Sequence, residues 1–439
     1  MFTLIKNGYL IDPASNIEGI YDVLIQDNVI KKVSHTIAIE EITDSNSDAT
    51  SQMTVIDATG KYVMPGFIDL HVHLREPGFE YKETIKTGSM AAAAGGFTSI
   101  CPMPNTKPAT DCPKMIRLVL NKAEEEAIVQ ILPIGAVTIG QIGQELADIE
   151  GMVKAGAVAI SEDGKSVMDT TLYAEGMKQA AKNGIPVFAH CEDKSLVGNG
   201  VMNAGDKAKK LQLAGISNAV EDIIVARDIL LAKETGVRLH LCHCSTRDSV
   251  KMIAMAKHAG LKVTGEVCPH HFSMTEDDIQ SDDANYKMNP PLRTSEDVQA
   301  LKEALRDDII DVIATDHAPH SEEEKAKSIK DSPFGIVGLE TAFALTMTEL
   351  VKTGYLSPKQ MVEKLSVNPA RILGIDRGCL GEGKIADLVI AGIKEEYLID
   401  KNAFFSKGKN TPFHGKKVVG RVEYTVVAGK LVYEYHNSY

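Results

Sequence analysis

The residues richest in chemistry fall in one short run, Phe67-Ile68-Asp69-Leu70-His71-Val72-His73. Read as a strand, alternation puts Asp69, His71 and His73 on one face and Ile68, Leu70 and Val72 on the other. Two imidazoles two residues apart then converge on one point. That can hold a metal ion, although a lone His-x-His is as often a pair of satisfied histidines. Other apolar runs end in the same kind of group. Phe188 and His190 share a face, as do Leu239, Leu241 and His243. So do Val312, Ala314 and Asp316, and Ala157, Ala159, Ser161 and Asp163. The same alternation sends His240, Cys242 and Cys244 outward, so the cysteines read as buried thiols, not thiolate ligands. One polar tip on an apolar strand is incidental; His71, His73, Asp163, His190, His243 and Asp316 together are not.

The donor types choose the ion. Neutral imidazoles with carboxylates suit zinc or a similar divalent transition ion, and the all-oxygen set of magnesium or calcium is missing. Six ligands exceed what one tetrahedral ion needs, so the set fits two ions bridged by Asp163 and a hydroxide. Water bound there drops in pKa from about 15.7 to about 7 and becomes a nucleophile.

The elements that must position these groups are short apolar runs alternating with helical pattern. Eight candidate strands cover residues 67–73, 98–103, 128–133, 158–163, 186–190, 238–243, 263–267 and 311–316. Eight β-then-α units in about 300 residues is the size of a TIM-like (β/α)8 barrel, whose strand ends form the mouth where catalysis occurs. A doubly wound sheet is the rival, but its phosphate loop should follow a strand, and Ala94-Gly95-Gly96-Phe97 precedes one. Both chain ends read as strands and turns and are expected to fold together into a small β-sandwich domain. The expected α/β organisation is 1–62 and 379–439 for that domain and 63–378 for the barrel. Residues 40–52 are polar, without apolar period, and read as a solvated loop.

Composition bounds the partners. Acidic residues outnumber basic ones in the 439-residue chain, for a net charge of −13, and tryptophan is absent. Both argue against nucleic acid and anionic membranes as partners. No run approaches the roughly 18 apolar residues of a membrane span. The N-terminus lacks the layout of a signal peptide, and seven cysteines fit reduced thiols in a cytoplasmic protein.

Longer motifs accompany the metal-type groups: His71-Val72-His73-Leu74-Arg75-Glu76-Pro77-Gly78, Pro102-Met103-Pro104-Asn105-Thr106 and Lys287-Met288-Asn289-Pro290-Pro291-Leu292-Arg293. Ala314-Thr315-Asp316-His317-Ala318-Pro319-His320 and Pro333-Phe334-Gly335-Ile336-Val337-Gly338 follow. With these, the sequence resembles the amidohydrolase superfamily and, within it, the long bacterial type of dihydroorotase, over nearly the whole chain. The resemblance implies reversible closure of N-carbamoyl-L-aspartate to (S)-dihydroorotate in pyrimidine synthesis. It implies one zinc on His71, His73 and Asp163 and another on Asp163, His190 and His243. Asp316 matches the family's general acid/base, which also touches a zinc. Arg75, Asn105 and His320 match positions that grip the substrate carboxylate; Asn289 and the Phe334-Gly335 backbone match positions that read the ring. Many relatives bridge the metals with a carboxylated lysine where this chain has Asp163, and Lys165 nearby is a minor alternative.

The residues make chemical sense in those roles. Asp316 can carry a proton from the attacking water to the departing ring nitrogen. A guanidinium fork suits a carboxylate, although Arg75 could instead pair with Glu76 or Glu83. Asn105 could be a plain turn residue, and His270 and His271 could support the site or be structural. Residues 321–333 read either as a solvated helix start or as a lid over substrate. Two other functions stay open: another cyclic amidase (allantoinase, hydantoinase or dihydropyrimidinase) that lacks the carboxylate grip, or a noncatalytic partner of a transcarbamoylase. The chain is expected to act on a small molecule, alone, as a homodimer or beside a transcarbamoylase.

Overall fold

The computed structural model describes residues 2–39 and 53–436. The 40–52 loop therefore lies outside the described residues, and so does its expected solvation.

The N-terminal strands are β1 (Phe2–Asp12), β2 (Ile17–Gln26), β3 (Val29–Ser34), β4 (Met53–Asp57) and β5 (Lys61–Pro65). Asp12 makes the first hairpin. Its Oδ1 accepts from Ala14 N and Ser15 N at 3.1 and 3.3 Å, the local bond by which an Asp before Pro nucleates a turn.

Next come the parallel strands β6 (Phe67–Val72), β7 (Phe97–Pro102) and β8 (Gln130–Ile131) in one sheet. β9 (Ile134–Ala136), β10 (Ala159–Ser161) and β11 (Val187–Ala189) lie in a second. A small separate pair is β12 (Met202–Asn203) with β13 (Gly215–Ile216). β14 (Leu239–Leu241), β15 (Val263–Val267) and β16 (Val312–Ile313) complete the second sheet. β8 and β9 are one stretch of chain interrupted at Leu132-Pro133, where proline cannot donate to a ladder. At the other seam, His73 N donates to His317 O at 2.8 Å, joining the end of β6 to the chain beyond β16.

The chain closes with β17 (Leu388–Leu398), β18 (Lys417–Val427) and β19 (Lys430–Glu434). β17 pairs with β5, so strands from both chain ends belong to a single eight-stranded sheet. Leu380 N donates to Asp12 Oδ2 at 2.7 Å, so the first turn also fastens the C-terminal end. Ile5, Leu10, Val23, Ile25, Val63, Leu388 and Ile390 form the core of this sheet. Among the described residues no helix is long and apolar enough to cross a membrane.

Helices intervene between successive parallel strands, for example Ile85–Ala94, Pro113–Glu126, Thr170–Lys182, Ala219–Thr235 and Ser295–Arg306. Two cores result. Ile68, Leu70, Cys101, Ile134, Ala159, Phe188, Cys242, Val312 and Ala314, drawn from strands all round the set, form an inner cluster. Phe67, Ile100, Ile160, Val187, Leu239, Leu241 and Ile313 pack with the helices. Phe67 is fully buried, with its ring centroid 5.7 Å from that of Phe97 and 5.5 Å from that of Phe343. Phe67→Ala should cost ~3–5 kcal/mol of stability, read from the urea midpoint at unchanged slope; a loss below 1 kcal/mol would show that the site collapses without cost.

Simple alternation fails on two strands. Ile68 and Leu70 point inward, and beyond Asp69 β6 slips against β7: Asp69 faces Ile100 and Val72 faces Pro102, three residues against two. The Asp69 carboxylate takes up amides freed at the slip, accepting from His71 N and Thr315 N at 3.1 Å each. On β14, Leu239 and Leu241 face the helices and Cys242 faces inward, the reverse of the expectation. His243 still reaches the inner side because its φ of +34° turns the chain where the ladder has ended.

Candidate metal centre

His71, His73, Asp163, His190, His243 and Asp316 do converge. His71 Nε2 lies 3.3 Å from Asp163 Oδ1 and 3.5 Å from Asp316 Oδ1. His73 Nε2 lies 3.1 Å from Asp316 Oδ1 and 3.6 Å from Asp163 Oδ2. His190 Nδ1 and His243 Nε2 stand 3.3 and 3.9 Å from Asp163 Oδ1, and 2.8 Å from each other. All six are buried. Asp163 belongs to two compact donor groups, one with His71 and His73 and one with His190 and His243.

Three of the four rings are oriented from behind. His71 Nδ1 donates to Glu266 Oε1 at 2.8 Å, His73 Nδ1 to Asn105 Oδ1 at 2.9 Å, and His190 Nε2 to Glu192 Oε2 at 3.1 Å. These bonds place the ring proton on the far nitrogen and leave His71 Nε2, His73 Nε2 and His190 Nδ1 as lone pairs beside Asp163. His71 Nε2 is buried without any hydrogen-bond partner. Three aimed lone pairs, one of them orphaned, and a shared carboxylate are the donor set that a divalent ion requires, and the residues fit it.

The electrostatics agree. Burial would raise Asp163, yet positive charge on His71 and hydrogen bonds from His190 and His243 hold it well below the ordinary carboxylate range; with those rings neutral, a bound cation would supply that charge instead. Burial acts likewise on Asp316 and is outweighed by His71 and His73, so it too is ionised. Glu266, although fully buried, is pulled down to about 2 by His240 and His71. So many buried carboxylates need positive charge at close range. Backbone strain marks the same place: His243, Asp316 and Arg75 all adopt left-handed φ, at +34°, +48° and +62°.

A cleft of about 230 Å³ opens over these groups, lined also by Arg75, Asn105, Asn289, Phe334 and Gly335. Arg75 pairs with neither glutamate weighed for it: Glu76 binds Lys122 and Glu83 faces His317. Its Nε donates to Pro319 O at 3.1 Å, and no carboxylate among the described residues forms an ion pair with it. Asn105 is in the cleft, but its amide is engaged at both ends, by His73 and by Asp163 Oδ2 at 3.0 Å. A substrate carboxylate would have to displace one of those bonds. His320 does not line the cleft; it stands in the wall, donating from Nε2 to Phe334 O at 2.7 Å and lying 3.4 Å from Arg75 Nη2. Lys165 is exposed and away from the cluster, which removes it as a bridge. His270 and His271 are buried outside the cleft, and His271 Nε2 donates to Pro290 O at 2.9 Å.

The segment 321–333 begins with a short helix, Glu322–Lys325, boxed by Ser321 and Glu324. Lys325 Nζ donates to the carbonyls of Ala284, Pro333 and Lys287, and Lys287 Nζ donates to those of Ser332 and Lys330. A lid motion would have to break these ties.

Alternation overlooked Glu266, Glu192 and Lys194. Glu266 bridges His71 and His240, whose Nε2 donates to its other oxygen at 3.0 Å, and Lys194 pairs with Glu192 at the cleft wall. The available signal was an acid inside the apolar run Val263–Val267, since a buried charge must be paired. Glu266→Gln should weaken metal affinity by about 10–100-fold, measured by competition with a chromophoric chelator; unchanged affinity would reduce Glu266 to a packing role.

Parallel strands carrying two His groups around a shared carboxylate define a protein built to hold divalent cations at their ends. The "Dihydro-orotase-like" family model matches residues 60–249. A dihydroorotase of Acetivibrio thermocellus is 47% identical over 429 residues, covering 98% of each chain. One from Caldanaerobacter subterraneus subsp. tengcongensis is 47% identical over 439 residues, covering 100% of this chain and 99% of its own. Among solved structures, the L-hydantoinase (dihydropyrimidinase) of Arthrobacter aurescens superposes with a TM-score of 0.86 at 28% identity, over 99% of this chain and 96% of that one. The chain belongs to the dihydroorotase family.

Proposed function

We propose that the protein is a metal-dependent dihydroorotase that interconverts N-carbamoyl-L-aspartate and (S)-dihydroorotate, with two zinc ions sharing Asp163. The observation that carries this reading is the Arg75 guanidinium, without a carboxylate of its own, opening on the same cleft as Asp163 and Asp316. Bound divalent ions supply a deprotonated water near neutrality and polarise the amide carbonyl. The chain's own residues do the rest. Arg75 holds the substrate carboxylate and so sets which carbonyl faces Asp163. Asn289 and the Phe334-Gly335 backbone present polar groups to the ring. Asp316 takes the one proton left on the deprotonated water onto a carboxylate oxygen and delivers it to the departing ring nitrogen; ring closure runs the same path backward.

The strand order, with His73 N bonded to His317 O across the seam, supports reading residues 63–378 as a (β/α)8 barrel. The shared sheet of residues 1–62 and 379–439 supports a small sandwich domain. A cytoplasmic setting suits the reaction and the free thiols.

The test is to assay purified protein with dihydroorotate, allantoin, hydantoin and dihydrouracil while counting bound metal. Turnover of dihydroorotate alone, lost on chelation and restored by Zn2+, is expected. Preference for a neutral ring would move the assignment to another cyclic amidase, and inactivity of the fully loaded protein would move it to a noncatalytic partner.

A further inference from the structure

Behind the cleft wall lies a second cavity, of about 310 Å³, whose lining includes Lys325, Lys401, Lys407, Lys409, Asn410 and His320. Its charge runs against that of the molecule. The chain carries −13, yet four lysines line this cavity, and none forms an ion pair with a carboxylate among the described residues. Lys325, Lys407 and Lys409 donate only to backbone carbonyls, which satisfy hydrogen bonds but leave the charge in place. The one carboxylate on the lining, Glu322, is exposed, as is Lys407. Lys325 itself is only 8% exposed. Burial and the neighbouring Lys287 push its ammonium down to about 7, a cost that an anion would relieve.

The cavity is also wired to the cleft. Asn410, 4% exposed, donates to Ala318 O and Gly335 O at 3.1 and 3.0 Å and accepts from His320 N at 3.0 Å. Lys325 holds Lys287 O, and Gly335 N donates to that same carbonyl at 2.9 Å. The cavity's inner wall is thus the back of the loops that face substrate.

We propose that this cavity is a second binding site, for a small multivalent anion of the phosphate or dicarboxylate kind, coupled to the cleft through Asn410 and His320. Lys82 is already paired with Glu324 at 2.9 Å, so a negative charge there acts mainly on Arg75, whose Nη2 lies 3.4 Å from His320 Nε2, and occupancy weakens the hold on an anionic substrate.

Binding is tested first on metal-free Arg75→Gln protein, where the cleft no longer competes. Titrated calorimetrically with inorganic phosphate at constant ionic strength, it should bind one phosphate per chain. Adding Lys401→Gln and Lys409→Gln should weaken this roughly tenfold at unchanged thermal stability. Lys401→Gln alone, whose side chain bonds no neighbour, serves if the pair unfolds. No binding, or equal affinity in these variants, overturns the site. N-carbamoyl-L-aspartate added to the phosphate complex identifies the source: displacement means that the dicarboxylate occupies the cavity, and no displacement leaves phosphate as its ligand.

The kinetic arm rests on the proposed reaction. In the zinc enzyme with Arg75 intact, phosphate should raise KM roughly fivefold to a plateau. The Lys401→Gln/Lys409→Gln enzyme should show no plateau component. A wild-type KM without that component, with binding intact, overturns the coupling. A chain that binds phosphate in the cavity but never turns over dihydroorotate refutes the reaction instead.

Discussion

Replacing Asp316 by asparagine should leave the bound metal in place and lower kcat by about 10²–10⁴-fold, the usual contribution of a positioned proton carrier. Asparagine has the same shape and tolerates the left-handed φ of +48° that Asp316 adopts, so the backbone need not move. Five of the six converging donors, His71, His73, Asp163, His190 and His243, are untouched. What disappears is the anionic oxygen 3.1 Å from His73 Nε2 that can accept a proton and pass it on. Metal analysis beside steady-state kinetics decides the matter: an asparagine variant with more than a tenth of wild-type turnover would remove Asp316 from proton transfer. A variant that loses metal as well would make it a ligand first.

Arg75→Gln should act on specificity. Truncating one partner of a buried charge pair costs ~2–5 kcal/mol, so kcat/KM for dihydroorotate should fall by about 30- to several thousand-fold. Dihydrouracil, the same ring without the carboxylate, gains nothing from a guanidinium and should change little. The measured quantity is the ratio of the two kcat/KM values, which should collapse towards one. Arg75→Lys retains charge without the two-pronged donor and should recover part of the ratio. Equal losses on both substrates would mean that Arg75 only holds Pro319 O and the loop around it.

The six donors could be read from the sequence because each closes an apolar run, and an imidazole or carboxylate there has few structural uses. That both ends carry strands was legible for the same kind of reason: the N-terminal end alternates apolar runs with Asn7-Gly8 and Asp12-Pro13 turns, the C-terminal end repeats such short apolar runs, and a lone hairpin is unstable. Alternation then misdirected Leu239, Leu241 and Cys242. It describes a strand only while the ladder lasts, and β14 is three residues long, with His243 brought round by its own φ. Asn105, expected to grip the substrate, lines the cleft and also braces His73 and Asp163, a link that the sequence does not show.

Residue type and order along the chain therefore determined which atoms could bind a cation and roughly where each strand delivers them. Tertiary structure alone decided what stands behind those atoms. Glu266 is 195 positions from His71, and Asn410 is 75 from Gly335. Such pairings depend on how strands and loops close in space, and no local periodicity encodes them. The physical reason is burial: once water is excluded, every ring proton and carboxylate must find a partner inside, and only the closed fold determines which one is near.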